Sequence, residues 1–273
     1  MKKNHKGKIL NIETIAQDTV KMQFTTELQS ILPGQFVSIL IPNKTLRRPF
    51  SVADFVVRSS ETNAHCEQPV EGCEPAIIQE ADFVEGIITV IFKVKGDGTN
   101  YLKSLKIGDT IDFLAPLGNT FTLPEAGKKA FQRALLIGAG IGIAPMLYLK
   151  KTLQQKGVET FLISGFKDEK EAVKGSDKTV IGGSVLDNIQ NLVDEFKPDI
   201  IYSCGPKIVL QLVCELAGKN NIKAEIAMEK VMACGIGVCR GCVIKLNKND
   251  GVKNASVCAD GPVFNGSEVI WEE

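Results

Sequence analysis

Up to about residue 125 the apolar positions come in short runs with a two-residue period: Lys8 to Glu13, Val20 to Thr25, Gln35 to Ile41, Ile87 to Val94 and Thr110 to Leu114. Alternating, β-branched runs of this length are strand patterns, and Pro33-Gly34, Gly108-Asp109 and Pro116-Leu117-Gly118-Asn119 supply turns between them. Five or six such strands, with one brief helical stretch near Thr99 to Leu105, predict a small antiparallel β barrel. From Arg133 the period changes. Ala134 to Ile137, Phe161 to Ile163 and Asp199 to Tyr202 read as buried strands. Ala144 to Gln155, Val185 to Glu195 and Lys207 to Lys219 read as helices, the last with Ile208, Leu212 and Leu216 on one face. This alternation predicts a doubly wound, parallel α/β sheet. A last strand between Lys223 and Val231 leads into a tail without a long helix, expected to be a compact appendage around its cysteines.

Between Arg58 and Glu85 the pattern breaks into a segment with seven acidic residues, one Arg, two prolines, Cys66 and Cys73, which reads as a loop inserted in the barrel. The expected division is a barrel over 1–128 with the insertion near 58–85, an α/β unit over 129–227 and a tail over 228–273. With 273 residues the chain has room for more than one core. Its 32 basic and 32 acidic residues cancel, which gives no support to a nucleic-acid partner held by bulk charge. The basic start Met1 to Lys6 is followed by no apolar run of a signal peptide. The uncharged stretch Ala134 to Leu149 is shorter than a bilayer span and is broken by glycines and Pro145. A cytoplasmic location is expected.

Four of the eight cysteines lie in the last 40 residues. They read Cys234-x4-Cys239-x2-Cys242, then Cys258 sixteen positions later, the ligand spacing of a plant-type 2Fe-2S cluster. Gly235, Gly237 and Gly241 let the backbone curl and turn N–H groups toward sulfur, which helps to set a reduction potential. Four thiolates would also suit structural zinc, although zinc sites normally repeat C-x2-C pairs and only Cys239 and Cys242 form one. Cys66 and Cys73 read as idle thiols or a second metal site, and Cys214 as a core residue.

The turn Gly138-Ala-Gly140-Ile-Gly142-Ile-Ala-Pro145 follows a strand and opens a helix, where backbone N–H groups can receive a phosphate. Ile143 stands where the third glycine of the dinucleotide fingerprint would fall, so a plain strand-to-helix turn is the competing reading. Asp168, after the next strand, would favour a free ribose 2′-hydroxyl and hence NAD, while Lys167 would suit a 2′-phosphate. Cys204-Gly205-Pro206 ends another strand at the same sheet edge, either as part of the site or as a turn whose proline opens a helix. In the barrel, Arg48, Pro49, Phe50 and Ser51 combine a guanidinium for phosphate, an aromatic face and a hydroxyl for a flavin edge, though they also suit a solvent-facing strand end. Lys95-Gly96-Asp97-Gly98-Thr99 is a second possible pyrophosphate cradle.

Pro33 to Val37, Arg48 to Ser51, Gly98-Thr99, Gly138 to Pro145 and Cys204 to Pro206, in this order, resemble the ferredoxin reductase superfamily. Met232 to Cys242 narrows the resemblance to the electron transfer subunits of NAD-dependent dihydroorotate dehydrogenase, across nearly the whole chain. The resemblance implies that Arg48, Pro49, Phe50 and Ser51 form the first FAD motif, that Ile91, Phe92 and Lys93 form the second, and that Gly98 with Thr99 forms the pyrophosphate turn. It implies NAD on the sheet, along Gly138, Gly140, Gly142, Asp168, Cys204, Gly205 and Pro206, with the nicotinamide near Cys204. Cys234, Cys239, Cys242 and Cys258 match the 2Fe-2S ligands.

Phe50 stands where the superfamily commonly has tyrosine, and the acidic loop is roughly 25 residues longer than the family's. The implied partner is an FMN subunit that oxidises dihydroorotate for pyrimidine biosynthesis, with two chains of each kind. Electrons would cross cluster and FAD to NAD, and no side chain here need be a strong acid or base. One alternative is a related NAD(P)H reductase subunit serving a ferredoxin, sulfide or hydrogenase partner. Another is a non-catalytic, zinc-stabilised binding module.

Overall fold

The computed structural model describes residues 3–58, 85–125 and 131–271. The expected acidic insertion, with Cys66 and Cys73, lies outside the described residues.

Six strands, β1 (Lys3–Ala16), β2 (Thr19–Thr26), β3 (Phe36–Ile39), β4 (Arg48–Arg58), β5 (Glu85–Lys93) and β6 (Thr110–Leu117), close a barrel in the order β1-β2-β5-β4-β3-β6. Alternation builds its inside: Val20, Met22 and Phe24 of β2 meet Val37, Ile39, Val52, Ile88, Val90 and Phe113, all without exposure. Barrel closure leaves no free sheet edge. The segment from Arg48, expected at most to end a strand, instead opens the eleven-residue β4. Helix α1 (Asp97–Ser104) follows β5.

The second layer is one sheet of β7 (Arg133–Ala139), β8 (Glu159–Phe166), β9 (Lys178–Ile181), β10 (Ile200–Cys204), β11 (Lys223–Ala227) and β14 (Val263–Asn265), in the order β14-β11-β10-β7-β8-β9. Strands β7 to β11 are parallel, and β14 joins antiparallel to β11. The chain leaves β7 toward β8 and β9, then returns to β10 on the other side. Between β7 and β10 lies the switch point at which ligands bind on such sheets. Helices α2 (Ile143–Gln155), α3 (Ile189–Phe196) and α4 (Lys207–Lys219) cover the faces.

Two expectations about these helices change. The third helix begins at Ile189, so Val185 lies in the turn before it. On α4 the buried positions are Leu210, Val213 and Ala217, whereas Ile208 and Leu212 are exposed. Val213 and Ala217 pack on Leu135, Ile137 and Ile201 of the sheet.

Helix α2 joins the layers: the Tyr148 hydroxyl donates to Ile31 O at 2.6 Å, and Lys151 pairs with Asp54 of the barrel at 2.8 Å. Burial and the nearby Asp54 push the Tyr148 phenol up to about 12. The connection between the layers is pinned at Thr122, whose N–H and hydroxyl both donate to buried Glu225, while Tyr202 donates to its carbonyl at 2.6 Å. Glu225→Ala would leave the Thr122 N–H without its acceptor. It is expected to cost about 1–3 kcal/mol, read as a lower urea midpoint, with Tyr202→Phe milder.

The tail contributes the hairpin of β12 (Val243–Lys248) and β13 (Gly251–Ser256), in addition to β14. Its core is not its own, because Cys242, Val257 and Cys258 pack with Phe36 and Leu117 of the barrel, Leu210 of α4 and Ile226 of the sheet. The expected appendage is thus wedged against both layers. Among the described residues no helix is long and apolar enough to cross a membrane.

Candidate functional site

A cleft of about 430 Å³ opens between the barrel and the carboxyl ends of β7 and β10. Pro49, Phe50 and Ser51 line one wall, and Gly140, Gly142 and Cys204 to Pro206 line the other. The two turns of the sheet are adjacent because Cys204 pairs with Gly138. Pro49, Gly205, Pro206 and Met228 to Lys230 also line a second cleft of about 720 Å³ that runs on toward Met232, two residues before Cys234.

On the barrel side, the entry into β4 turns Arg47, just before the strand, and Arg48, its first residue, to different partners. Arg47 is bound to Asp112 at 2.6 Å and to Asn4 at 3.1 Å, so it is committed to the structure. Arg48 instead lies over the first turn of α1, where a Cβ added at Gly98 would come 3.3 Å from its Nε. The structure therefore joins two motifs 50 residues apart into one anion-receiving corner, a guanidinium beside a helix N-terminus. Thr99 Oγ1 accepts from the N–H groups of Lys95 and Gly96 and so braces that turn. Phe50 and Phe92 form a tilted aromatic pair with centroids 5.2 Å apart. Ile91 packs with Ala144 and Ile141 at the glycine turn. Lys93 faces the cleft, tied to Glu171 at 2.7 Å.

On the sheet side, Gly138, Gly140 and Gly142 carry the chain from β7 into α2. Asp168 is exposed and spends a carboxylate oxygen on Lys170 N at 2.9 Å, and neither it nor Lys167 lines the cleft. Cys204 sits in the wall with its thiol pushed up to about 12, by burial first and then by Glu229. It is a neutral contact at physiological pH. Glu171 and Glu229 were not foreseen. Glu229 follows the carboxyl end of β11, where the switch-point rule could have found it.

The four tail cysteines are drawn together by a loop with Gly235, Gly237 and Arg240 at positive φ. Cys234 Sγ accepts from Cys239 N, Cys239 Sγ from Gly241 N and Cys242 Sγ from Cys258 N, each at 3.4 Å. The four thiols are free and lie as neighbours in pairs, Cys234 with Cys239 and Cys258 with Cys242. Among the described residues no three Cys, His, Asp or Glu converge as ligands of one metal ion. Two pairs of sulfurs ringed by N–H donors fit a two-iron cluster better than one tetrahedral ion.

In the cluster-free chain, backbone N–H groups, led by that of Cys239, pull Cys234 down to about 6. Burial and Cys242 push Cys258 up to about 12. A lowered pKa means that the Cys234 thiolate forms as pH rises through that value. Iodoacetamide should therefore alkylate Cys234 with a midpoint near pH 6, as read by peptide mass spectrometry, and leave Cys204 and Cys258 unlabelled at pH 7.

Residues 6–121 match the oxidoreductase FAD-binding domain, and residues 229–270 match the iron-sulfur cluster binding domain of dihydroorotate dehydrogenase B. The dihydroorotate dehydrogenase B (NAD(+)) electron transfer subunit of Caldanaerobacter subterraneus is 34% identical, over 97% of this chain and 98% of that one. The corresponding subunit of Listeria innocua is 36% identical over 88% of this chain and 91% of that one. Among solved structures, an NADH-dependent reduced ferredoxin-NADP oxidoreductase superimposes with a TM-score of 0.73 at 26% identity, covering 97% of this chain and 90% of the other. A ferredoxin reductase of carbazole 1,9a-dioxygenase shares the fold, with a TM-score of 0.60 at 16% identity over 81% of this chain and 67% of that one.

Proposed function

The chain belongs to the family of dihydroorotate dehydrogenase B electron transfer subunits, and on that premise we propose how its residues serve the transfer. Arg48 and the start of α1 receive the FAD pyrophosphate at Gly98 and Thr99, and Pro49, Phe50, Ser51 and Ile91 to Lys93 take the ring. The turn through Gly138, Gly140 and Gly142 takes the phosphates of NAD, with the nicotinamide against Cys204, Gly205 and Pro206. Cys234, Cys239, Cys242 and Cys258 hold a 2Fe-2S cluster. The working units remain 1–128, 129–227 and 228–273. When bound, FAD would exchange an electron pair, as one hydride, with a nicotinamide and single electrons with a cluster, chemistry that no side chain here supplies.

The chain's own part is positional. The two cleft walls bring flavin and nicotinamide faces together and exclude water between them. Cys204, neutral and half-buried, offers contact without a competing thiolate. The observation that carries this reading is the convergence of Phe50 and Ser51, Gly140 to Gly142 and Cys204 on one cleft.

The partner is an FMN subunit that oxidises dihydroorotate, two chains of each kind, working in the cytoplasm and passing electrons to NAD. The test is anaerobic co-expression with that subunit. A purified complex with flavin bands and a cluster shoulder, bleached by NADH and reducing NAD on addition of dihydroorotate, supports the reading. A colourless zinc protein rejects it. A complex inactive with dihydroorotate that instead couples NADH, reduced ferredoxin and NADP would favour the activity named for the solved structure at 26% identity.

A further inference from the structure

The loop after β6 was read in the sequence only as a turn. In the fold it is the point where the barrel grips the tail. Asn119 Nδ2 donates to Asp260 O at 3.1 Å and to Val263 O at 2.8 Å, while its Oδ1 accepts from Val263 N at 2.9 Å. Its backbone N–H donates to Gly261 O at 2.6 Å. Both N–H donors and the oxygen of one carboxamide are thereby engaged by the strap 260–263. Gly118 beside it has φ +76, and a Cβ there would lie 2.5 Å from Pro262 Cδ, so the two segments touch with no room for a side chain.

The strap begins two residues after Cys258. A tight turn joins them: Asp260 N donates to Ser256 O at 2.8 Å, and the Asp260 carboxylate accepts from Ser256 N at 2.7 Å. In the other direction, Asn119 follows Leu117, which pairs with Phe36, and Phe36 pairs in turn with Ser51 of the first flavin motif. A path of cross-strand neighbours, short covalent steps and side-chain hydrogen bonds thus runs from Ser51 through Phe36, Leu117 and Asn119 to the strap and Cys258. Gln35 reinforces it by donating to Gly118 O at 3.4 Å.

We propose that Asn119 is a positioning residue for electron transfer, whose carboxamide fixes the segment carrying the fourth cysteine against the barrel strands that carry the flavin motif. The proposal rests on the functional reading above. Electron exchange between two bound groups falls steeply with their separation, whereas the strap gives the cleft between barrel and sheet a single lining residue, Pro262, whose carbonyl is held separately by Met228 N at 2.9 Å. Loosening the strap should therefore separate two half-reactions that a general loss of fold would lower together.

The test uses the loaded two-subunit complex with Asn119→Ala, Asn119→Ser and Asn119→Asp. In stopped-flow, reduction of the flavin by NADH should stay within about twofold of wild type, and electron passage between flavin and cluster should slow on the order of tenfold or more in the alanine variant. Asn119→Asp keeps the acceptor for Val263 N but sets a carboxylate oxygen against two carbonyls, so it should be no better than alanine. Asn119→Ser, with a shorter donor, should fall between alanine and wild type, and it serves if alanine does not fold. Hydrogen exchange gives the readout that is independent of activity: amides 256–264 should exchange faster while amides 110–117 stay protected. A wild-type rate between flavin and cluster in Asn119→Ala, or an equal fall in both half-reactions, would overturn the proposal. A wild-type complex that NADH does not bleach would instead remove the functional reading, and the exchange measurement would still decide whether Asn119 holds the strap.

Discussion

Cys258→Ser is expected to abolish cluster binding while NADH still reduces the flavin. Cys258 is 1% exposed, packed with Cys242 and Val257 in the core shared with Phe36 and Leu117. It is the distant member of the set, brought to the loop by the β12–β13 hairpin and held there by its own N–H on Cys242 Sγ. A hydroxyl is a harder, less acidic ligand than a thiol and leaves one sulfur pair broken. Loss of a group that merely orients a metal ligand already costs about 10- to 100-fold in affinity, so loss of a ligand costs more. Iron and acid-labile sulfide per chain, together with the cluster's electron paramagnetic resonance signal, should fall to background. Electron delivery from the partner should vanish with them, whereas flavin content and its bleaching by NADH persist. Retained iron and sulfide would remove Cys258 from the ligand set.

The unequal legibility of the chain has physical causes. The strand–glycine–helix run and the cysteine-rich loop could be located because both are local, so their backbone geometry is written in adjacent residues. The buried face of α4 could not. Its sequence is apolar at Ile208, Val209, Leu210, Leu212, Val213, Cys214, Leu216 and Ala217, nearly all round, and only packing on Leu135, Ile137 and Ile201 selects Val213 and Ala217.

Arg47 and Arg48 posed a similar choice. The pattern offered two neighbouring guanidiniums, and the fold commits one to Asp112 while leaving the other at Gly98. Contacts between distant segments left no trace in periodicity: Lys93 with Glu171, Thr122 with Glu225, and Asn119 with Val263. These same contacts fix how the barrel, sheet and tail meet. The sequence therefore displayed the parts of the site more fully than their assembly.

Gly142→Ala should produce the second large effect, on dinucleotide binding and stability together. A Cβ on residue 142 would lie 2.1 Å from Cys204 O, 2.5 Å from Cys204 C and 2.8 Å from Gly205 N. All three are backbone atoms, so no rotamer change relieves the overlap. The turns after β7 and β10 must separate, although their strands are laddered together at Gly138 and Cys204. Overpacking of this kind costs about 1–3 kcal/mol, visible as a lower thermal midpoint.

The same movement displaces the α2 N-terminus from the Cys204 edge, and misplacement by about 1 Å can cost on the order of 100-fold in a positioned reaction. NADH reduction of the flavin should slow by that order at subsaturating NADH, with iron and flavin content unchanged. Gly157→Ala, beyond the far end of α2 and outside the cleft, is the control, because residue 157 has φ +77 and open space where its Cβ would go. It meets backbone strain of roughly 1–2 kcal/mol but no neighbour, so the seam between β7 and β10 stays closed. Its effect on flavin reduction should therefore be much smaller than that of Gly142→Ala. Wild-type NADH kinetics in Gly142→Ala would show that the dinucleotide does not bind at this turn.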